Sequence, residues 1–143
     1  MAPTTETRTA EETEAAGAAL AARLRPGDVV LVSGDLGAGK TTFVRGAIRT
    51  LGVTEAVTSP TFVVGVLYDG ARGPIAHLDL YRLAGLDAED PGLLDPYFGP
   101  DTVTFVEWPE QAGDDAAAAG GRGVAHRVVL EHAGGDARRL TVT

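Results

Sequence analysis

Cysteine is absent from the sequence, and no apolar run approaches the ~20 residues that a membrane-spanning helix needs. Without cysteine the chain forms neither a disulfide framework nor a thiolate metal site. The first 14 residues are polar and carry several glutamates, which does not fit a signal peptide. These absences predict a cytoplasmic protein with no membrane association. A length of 143 residues predicts one domain over 1–143, in which we expect residues 1–8 to be flexible.

Positive charge is scarce and unevenly placed. The formal net charge is −8, and no lysine or arginine lies between Arg82 and Arg122, whereas nine acidic residues do. This balance argues against broad direct binding to nucleic acid, because such a surface repels a phosphate backbone. The acidic stretch is either a solvated surface or a docking face for a basic partner.

The chain has one lysine, and it lies in the motif that organises the sequence. Residues 34–41 read Gly-Asp-Leu-Gly-Ala-Gly-Lys-Thr, which fits the phosphate-binding loop (P-loop) pattern G-x-x-x-x-G-K-[ST]. The apolar run from Asp28 to Val32 precedes the loop, and residues 42–51 show helical spacing before Gly52. The motif predicts that Lys40 meets the β- and γ-phosphates of a nucleotide and that the Thr41 hydroxyl ligates magnesium.

The rest of the pattern predicts an α/β, P-loop NTPase-like fold of three layers around a mixed parallel and antiparallel sheet. Thr9 and Glu12 have capping-box spacing and predict a helix to about Leu24. For the Ala- and Gly-rich residues 111–123 we favour a flexible loop over a helix. Further strands are predicted over 62–68, 75–83, 102–106, 126–130 and 140–142.

A P-loop also needs a second acid near magnesium. Glu107 directly follows an apolar strand, which is the usual place of the Walker B acid. Asp79 lies near the end of another predicted strand, either as a partner of Glu107 or as a surface carboxylate. Glu107 fits the magnesium role better.

Four further side chains have open interpretations. Ser59 and Thr61 flank a proline and form either a switch that senses the γ-phosphate or a plain strand entry. Trp108, the sole tryptophan, is either a core residue or a neighbour of the nucleotide. His77 is most simply a strand histidine, because nothing in the sequence pairs it into a metal site.

Four blocks occur in a specific order: Gly34–Thr42, Ser59–Phe62 with Tyr68, His77–Leu83 and Glu107–Trp108. Together they resemble the bacterial TsaE (YjeE) family from about Thr9 to Glu110, and the closing hairpin with Arg138 resembles it more loosely. The resemblance implies an ATPase that is required, with ATP and Mg²⁺, for N6-threonylcarbamoyladenosine modification of tRNA. It also implies TsaD-like and TsaB-like partners, which form the transferase.

Residue roles follow from the same resemblance. It implies catalytic roles for Lys40, Glu107 and Asp79, and magnesium binding by Thr41 and Glu107. The implied nucleotide contacts are Thr9, Asp35, Leu36, Gly37, Ala38, Gly39, Lys40, Thr41, Thr42, Ser59, Thr61, Trp108 and Arg138.

The main alternative is a small-molecule P-loop kinase. Such an enzyme needs arginines that close over the transferred phosphoryl group, and only Arg82, Arg122 or Arg138 could serve here. A nucleotide-dependent switch, reset by hydrolysis, also stays open. We expect the isolated protein to be a slow ATPase. Because of its negative net charge, we also expect that it does not bind tRNA tightly by itself.

Overall fold

The computed structural model describes residues 3–58, 60, 64–81 and 92–143. Its strands are β1 (Thr4–Thr7), β2 (Val29–Gly34), β3 (Gly65–Gly70), β4 (Gly73–Asp79), β5 (Val103–Glu107), β6 (His126–His132) and β7 (Arg138–Val142). Its helices are α1 (Ala10–Ala21), α2 (Lys40–Thr50) and α3 (Asp115–Ala118), with 3₁₀ turns at Asp95–Tyr97 and Pro109–Ala112. No helix among these residues is long and apolar enough to cross a membrane.

The strands described form one sheet in the order β1-β7-β6-β2-β5-β4-β3. Strand β2 is parallel to both of its neighbours, and β4 is parallel to β5. The pairs β1–β7, β6–β7 and β3–β4 are antiparallel. The predicted α/β fold with a mixed sheet is therefore confirmed.

Strand β2 is buried on both faces. Val30 and Val32 pack with the α1 and α2 side chains, whereas Val29 and Leu31 pack on the opposite face against residues that include Ala112 and Ala118. Successive side chains of a strand point to opposite faces, so an unbroken apolar run needs a cover on each side. The P-loop begins at the carboxyl end of β2, and this three-layer packing holds that end rigidly in position.

Helices α1 and α2 cross at very short distance. A Cβ atom built at Gly17 would lie 2.0 Å from the carbonyl oxygen of Phe43, and one at Gly46 would lie 2.0 Å from that of Glu14. Only glycine allows the two backbones to approach this closely. Glu14 also pairs with Arg45 at 3.3 Å. Because α2 begins at Lys40, this crossing fixes the position of the P-loop lysine.

Two segments differ from the sequence expectation near the N-terminus. Thr4–Thr7 forms an edge strand paired with β7, where a flexible segment was expected. The sequence did not indicate this strand because its residues are polar and show no alternating apolar pattern. Helix α1 ends at Ala21 rather than near Leu24, since the chain continues in tight turns toward Pro26.

The segment 111–123 contains a short helix, where a loop was expected. Helix α3 begins after Asp114, whose Oδ1 accepts a hydrogen bond from the backbone N–H of Ala117 at 2.8 Å. Ala118 and Ala119 are fully buried. The aspartate cap and the buried alanines favour a helix over a loop.

The turn between β3 and β4 is shorter than the gap at 69–74 between the two predicted strands. Ala71 and Arg72 alone connect the strands, and the flanking glycines at 70 and 73 belong to the ladder. The parts of the two strand predictions at 62–63 and 82–83 lie outside the described residues.

Candidate functional site

The P-loop connects the end of β2 to the start of α2. Gly39 precedes the helix with φ of 97°, in the left-handed region that favours glycine. A Cβ atom at Gly34 would lie 2.5 Å from the carbonyl oxygen of Leu130, so the loop leaves β2 in close contact with β6. Lys40 and Thr41 are the first two helical residues, where the backbone N–H groups have no partners within the helix. This end of α2 suits an anion such as phosphate.

Lys40 lies over the mouth of the loop and is only 5% exposed. Its Nζ donates hydrogen bonds to the carbonyl oxygens of Gly34 at 2.7 Å and Asp35 at 2.8 Å. The same atom lies 4.1 Å from the centre of the Trp108 ring, a cation–π contact. The ammonium group is thus held within the loop that the motif assigns to phosphate.

Several carboxylates surround Lys40. Burial lowers the pKa of Lys40 from its ordinary value of 10.5, while Glu107, Asp79, Glu110 and Asp35 act in the opposite direction. The acids therefore favour the charged lysine that phosphate binding requires.

Glu107 joins the P-loop to the sheet. Both of its carboxylate oxygens lie 3.0 Å from Thr41 Oγ1, which donates to them, and Oε2 also lies 2.5 Å from Nε2 of His77. Glu107 is 2% exposed and His77 is fully buried. A buried carboxylate needs such partners, because an unpaired charge in the interior is strongly unfavourable.

Asp79 lies next to Glu107 across the β4–β5 ladder. Its Oδ1 accepts a hydrogen bond from the backbone N–H of Tyr81 at 3.0 Å. Since paired residues of parallel strands share a face, the two carboxylates flank the same end of the sheet. The structure thus brings together the two acids that the sequence analysis considered.

Trp108 has an uncommon backbone. Its φ of 58° is positive, and it is the single non-glycine residue with positive φ in the part of the chain described. Its backbone N–H donates to the carbonyl oxygen of Val32 at 3.3 Å. The centre of its ring lies 4.8 Å from the centre of the Tyr81 ring. Such backbone outliers are concentrated at functional sites.

The closing hairpin of β6 and β7 reaches the other side of the P-loop. Arg138 Nη2 donates to the carbonyl oxygen of Gly37 at 3.1 Å. His132 Nε2 lies 3.4 Å from the carbonyl oxygen of Leu36. The hairpin therefore fixes the loop from the side opposite Glu107.

These elements enclose a cleft of about 300 Å³. Ten predicted site residues line it: Leu36, Gly37, Gly39, Lys40, Thr41, Thr42, Asp79, Glu107, Trp108 and Arg138. A smaller cavity of about 50 Å³ adjoins it, lined by Ala10, Thr13, Gly39, Thr42, Asp136 and Arg138. A cleft that is lined by both charged and apolar side chains suits a small-molecule ligand.

Three other predicted nucleotide contacts, Thr9, Asp35 and Ala38, are not among the residues that line the cleft. Thr9 caps α1, with its Oγ1 accepting from the N–H of Glu12 at 3.1 Å, and it does not line the cleft. Ala38 is fully buried in the core, and Asp35 reaches Lys40 through its carbonyl oxygen. Ser59 and Thr61 lie outside the described residues.

Sequence reasoning did not single out His77 or His132 as parts of the site. The available signal for His77 was a titratable residue within an apolar strand, which is uncommon in a fully buried position. Its partner Glu107 lies 30 positions away, so the pairing depends on β4 and β5 being neighbours.

The donor set fits magnesium that arrives with a nucleotide. The described residues hold no cluster of three or more histidine, cysteine or acidic side chains that could bind a metal by itself. They do offer one hydroxyl, Thr41, beside one carboxylate, Glu107. Mg²⁺ in phosphate-transfer sites commonly uses one or two carboxylates and completes its shell with phosphate oxygens and water.

Comparison with known proteins identifies the family of the chain. The family model described as Threonylcarbamoyl adenosine biosynthesis protein TsaE matches residues 7–139. The tRNA threonylcarbamoyladenosine biosynthesis protein TsaE of Bacillus subtilis (strain 168) is 40% identical over 137 residues, 93% of this chain and 80% of that protein. Its namesake in Streptomyces coelicolor is 50% identical over 97 residues, 66% of this chain and 65% of that protein.

A solved structure gives the same result. The crystal structure of YdiB from Bacillus subtilis matches with a TM-score of 0.75 and 35% identity, over 99% of this chain and 86% of that one. The resemblance carried by the four sequence blocks is thus confirmed. The chain belongs to the TsaE family of threonylcarbamoyladenosine biosynthesis proteins.

Proposed function

We propose that the chain is the cytoplasmic ATP-binding and ATP-hydrolysing subunit that supports N6-threonylcarbamoyladenosine modification of tRNA. Its partners would be a TsaD-like and a TsaB-like protein, which form the transferase. The relatives bear names from this pathway. The observation that carries the ATPase assignment is the hydrogen bond of Thr41 to both oxygens of Glu107, beside Lys40 in one cleft.

The roles of the residues follow from their contacts. Lys40 supplies positive charge to the β- and γ-phosphates of ATP. Thr41 donates its hydroxyl hydrogen to Glu107, so its oxygen lone pairs stay available to Mg²⁺. When bound, Mg²⁺ neutralises charge on the phosphate oxygens. Asp79 is next to Glu107 in the ladder, and its proposed role is to orient the attacking water.

A kinase is not favoured. Arg122, one of the three arginines available for a kinase lid, donates instead to the carbonyl oxygens of Gly99 at 3.2 Å and Pro100 at 3.4 Å. These residues precede β5, at the end of the strand opposite Glu107. Arg138 is engaged with the P-loop. Measuring whether the γ-phosphate appears as inorganic phosphate or on an acceptor distinguishes the two activities.

The experiment that tests the proposal is a multi-turnover tRNA modification assay with purified TsaD-like and TsaB-like proteins. We expect modification to continue past one turnover only when this chain and ATP are both present. A non-hydrolysable ATP analogue should stop it after the first turnover if hydrolysis is needed. Sustained modification without this chain would refute the role in the pathway.

A second measurement addresses the isolated protein. We expect slow ATP hydrolysis. We also expect no tight tRNA binding at physiological salt, because the net charge of −8 repels the phosphate backbone. Arginines supplied in trans raise hydrolysis by P-loop proteins by ~10³–10⁵, so a low basal rate is physically reasonable. A fast basal rate that partners leave unchanged would contradict the proposed division of labour.

A further inference from the structure

A buried histidine contacts the carboxylate that serves the P-loop. We propose that His77 is a positioning residue that holds Glu107 in the orientation needed for Thr41 and magnesium; this inference rests on the proposed ATPase function. His77 lies in β4 and Glu107 at the end of β5, and their side chains meet at 2.5 Å. Neither residue is exposed by more than 2%.

The direction of this hydrogen bond follows from the chemistry of its partner. An ionised carboxylate only accepts, so the hydrogen must be on Nε2 of His77. Oε2 of Glu107 accepts from Thr41 as well, at 3.0 Å. The carboxylate is therefore held from two sides, by α2 through Thr41 and by β4 through His77.

The contact with Glu107 is the one polar role that the structure assigns to the imidazole ring. Its other nitrogen, Nδ1, is buried without a hydrogen-bond partner among the residues described. Such a nitrogen lowers stability, and a leucine of similar size would avoid that loss. Packing alone therefore does not account for a histidine at position 77.

The contact with His77 keeps the Glu107 carboxylate from turning toward Lys40. Glu107 is the carboxylate that most favours the charged form of Lys40, so the two opposite charges attract each other across the cleft. Without His77, Thr41 would be the remaining side-chain partner of Glu107 among the residues that the structure describes, and the carboxylate would be free to turn toward the ammonium group. It would then neutralise the charge meant for phosphate and leave Thr41 poorly oriented.

Two substitutions separate the hydrogen bond from the volume of the ring. His77→Leu keeps the bulk and removes the donor, whereas His77→Gln places an amide donor near the position of Nε2. His126, the half-buried first residue of β6, does not line the cleft. His126→Leu and His126→Gln are the matched controls, and thermal unfolding of all four variants checks that they are folded.

The first readout is magnesium dependence without turnover. Trp108 is the sole tryptophan and follows Glu107, so its emission is expected to report Mg²⁺ binding in the presence of ADP. We expect His77→Leu to raise the half-saturating Mg²⁺ concentration about tenfold or more, and His77→Gln to stay within about threefold of wild type. Equal Mg²⁺ dependence in His77→Leu and wild type would overturn the proposal.

The second readout is the split between kcat and KM. His77→Leu should lower kcat for ATP hydrolysis by about 10- to 100-fold and leave KM for ATP within about twofold, because Lys40 and the loop still bind the phosphates. His77→Gln should recover most of kcat. A uniform loss in both variants, or the same loss in the His126 controls, would contradict a positioning role.

The third readout needs no variant to be active. Long-range ¹H–¹⁵N spectra of the nucleotide-free wild-type protein locate the ring hydrogen, and the His77 signals are those missing in His77→Gln. We expect hydrogen on Nε2, and hydrogen on Nδ1 alone would overturn the proposal even if His77→Leu failed to fold. An absence of ATPase activity in wild type would refute the proposed function, whereas this spectrum would still test the contact with Glu107.

Discussion

Replacing Gly46 by alanine is expected to weaken the fold and the P-loop together. The new Cβ would lie 2.0 Å from the carbonyl oxygen of Glu14 and 2.6 Å from its carbonyl carbon. Both atoms belong to the backbone of α1 and cannot rotate away, so α1 and α2 must separate by about 1.4 Å or more to restore ordinary contact of 3.4 Å. The change therefore acts on the whole helix pair.

The size of the effect follows from two opposed contributions. Overpacking of a rigid interior costs about 1–3 kcal/mol, and a clash with backbone belongs at the upper end. Alanine in place of a helical glycine returns about 1 kcal/mol. We expect the free energy of unfolding to fall by about 2 kcal/mol. Because α2 begins with Lys40 and Thr41, ADP affinity should fall as well.

Urea unfolding measures the first effect and calorimetry with ADP the second. Gly123→Ala is the matched control, since nothing lies within 4 Å of a Cβ atom there. It should change neither quantity appreciably. If Gly46→Ala proved as stable as wild type, the close crossing of α1 and α2 would not hold the P-loop as argued.

Three further predictions concern single side chains. Lys40→Ala should weaken ATP binding about 10- to 100-fold by calorimetry, because a charge-assisted contact to phosphate is lost; unchanged affinity would refute the P-loop assignment. Glu107→Gln should leave nucleotide binding measurable and lower kcat about 10- to 100-fold, with Glu131→Gln on the exposed side of β6 as control. If Glu107→Gln hydrolysed ATP at the wild-type rate, Asp79 would take the role of Glu107. Burial, and secondarily Glu55, raises the pKa of Tyr68 above 10.0, so its stabilisation is present below pH 10.0 and lost as pH rises through the folded-state value. Tyr68→Phe should flatten this alkaline loss in urea unfolding, and an unchanged slope would contradict it.

Features that depend on neighbours along the chain were predictable from the sequence. The loop from Gly34 to Thr41 needs glycines for its backbone and is preceded by an apolar strand and followed by a helix, all within some 25 residues. The cap of α1 at Thr9 and the closing β6–β7 hairpin are equally local. The order of the motif blocks was enough to identify the family, which the comparisons confirmed.

Local patterns misjudged segments whose stability comes from elsewhere. The edge strand at Thr4–Thr7 forms because β7 offers it an open side, and its threonines show no alternating apolar pattern. The short helix α3 has a local cap at Asp114, but the burial of Ala118 and Ala119 in the core comes from distant residues. In both cases a distant part of the chain supplies the stabilising contacts, which no window of sequence contains.

The meeting of His77, Glu107 and Thr41 was decided by the tertiary structure. The sequence predicted Glu107 at the end of a strand and Thr41 at the start of a helix. It did not predict that β5 lies between β2 and β4 in the sheet. Arg138 and His132 reach the P-loop across about 100 residues in the same way. Sequence determines which groups are available through local spacing and conformation. Sheet order determines which of them touch, because parallel strands are paired through long connections whose neighbours are selected by the packing of the whole core.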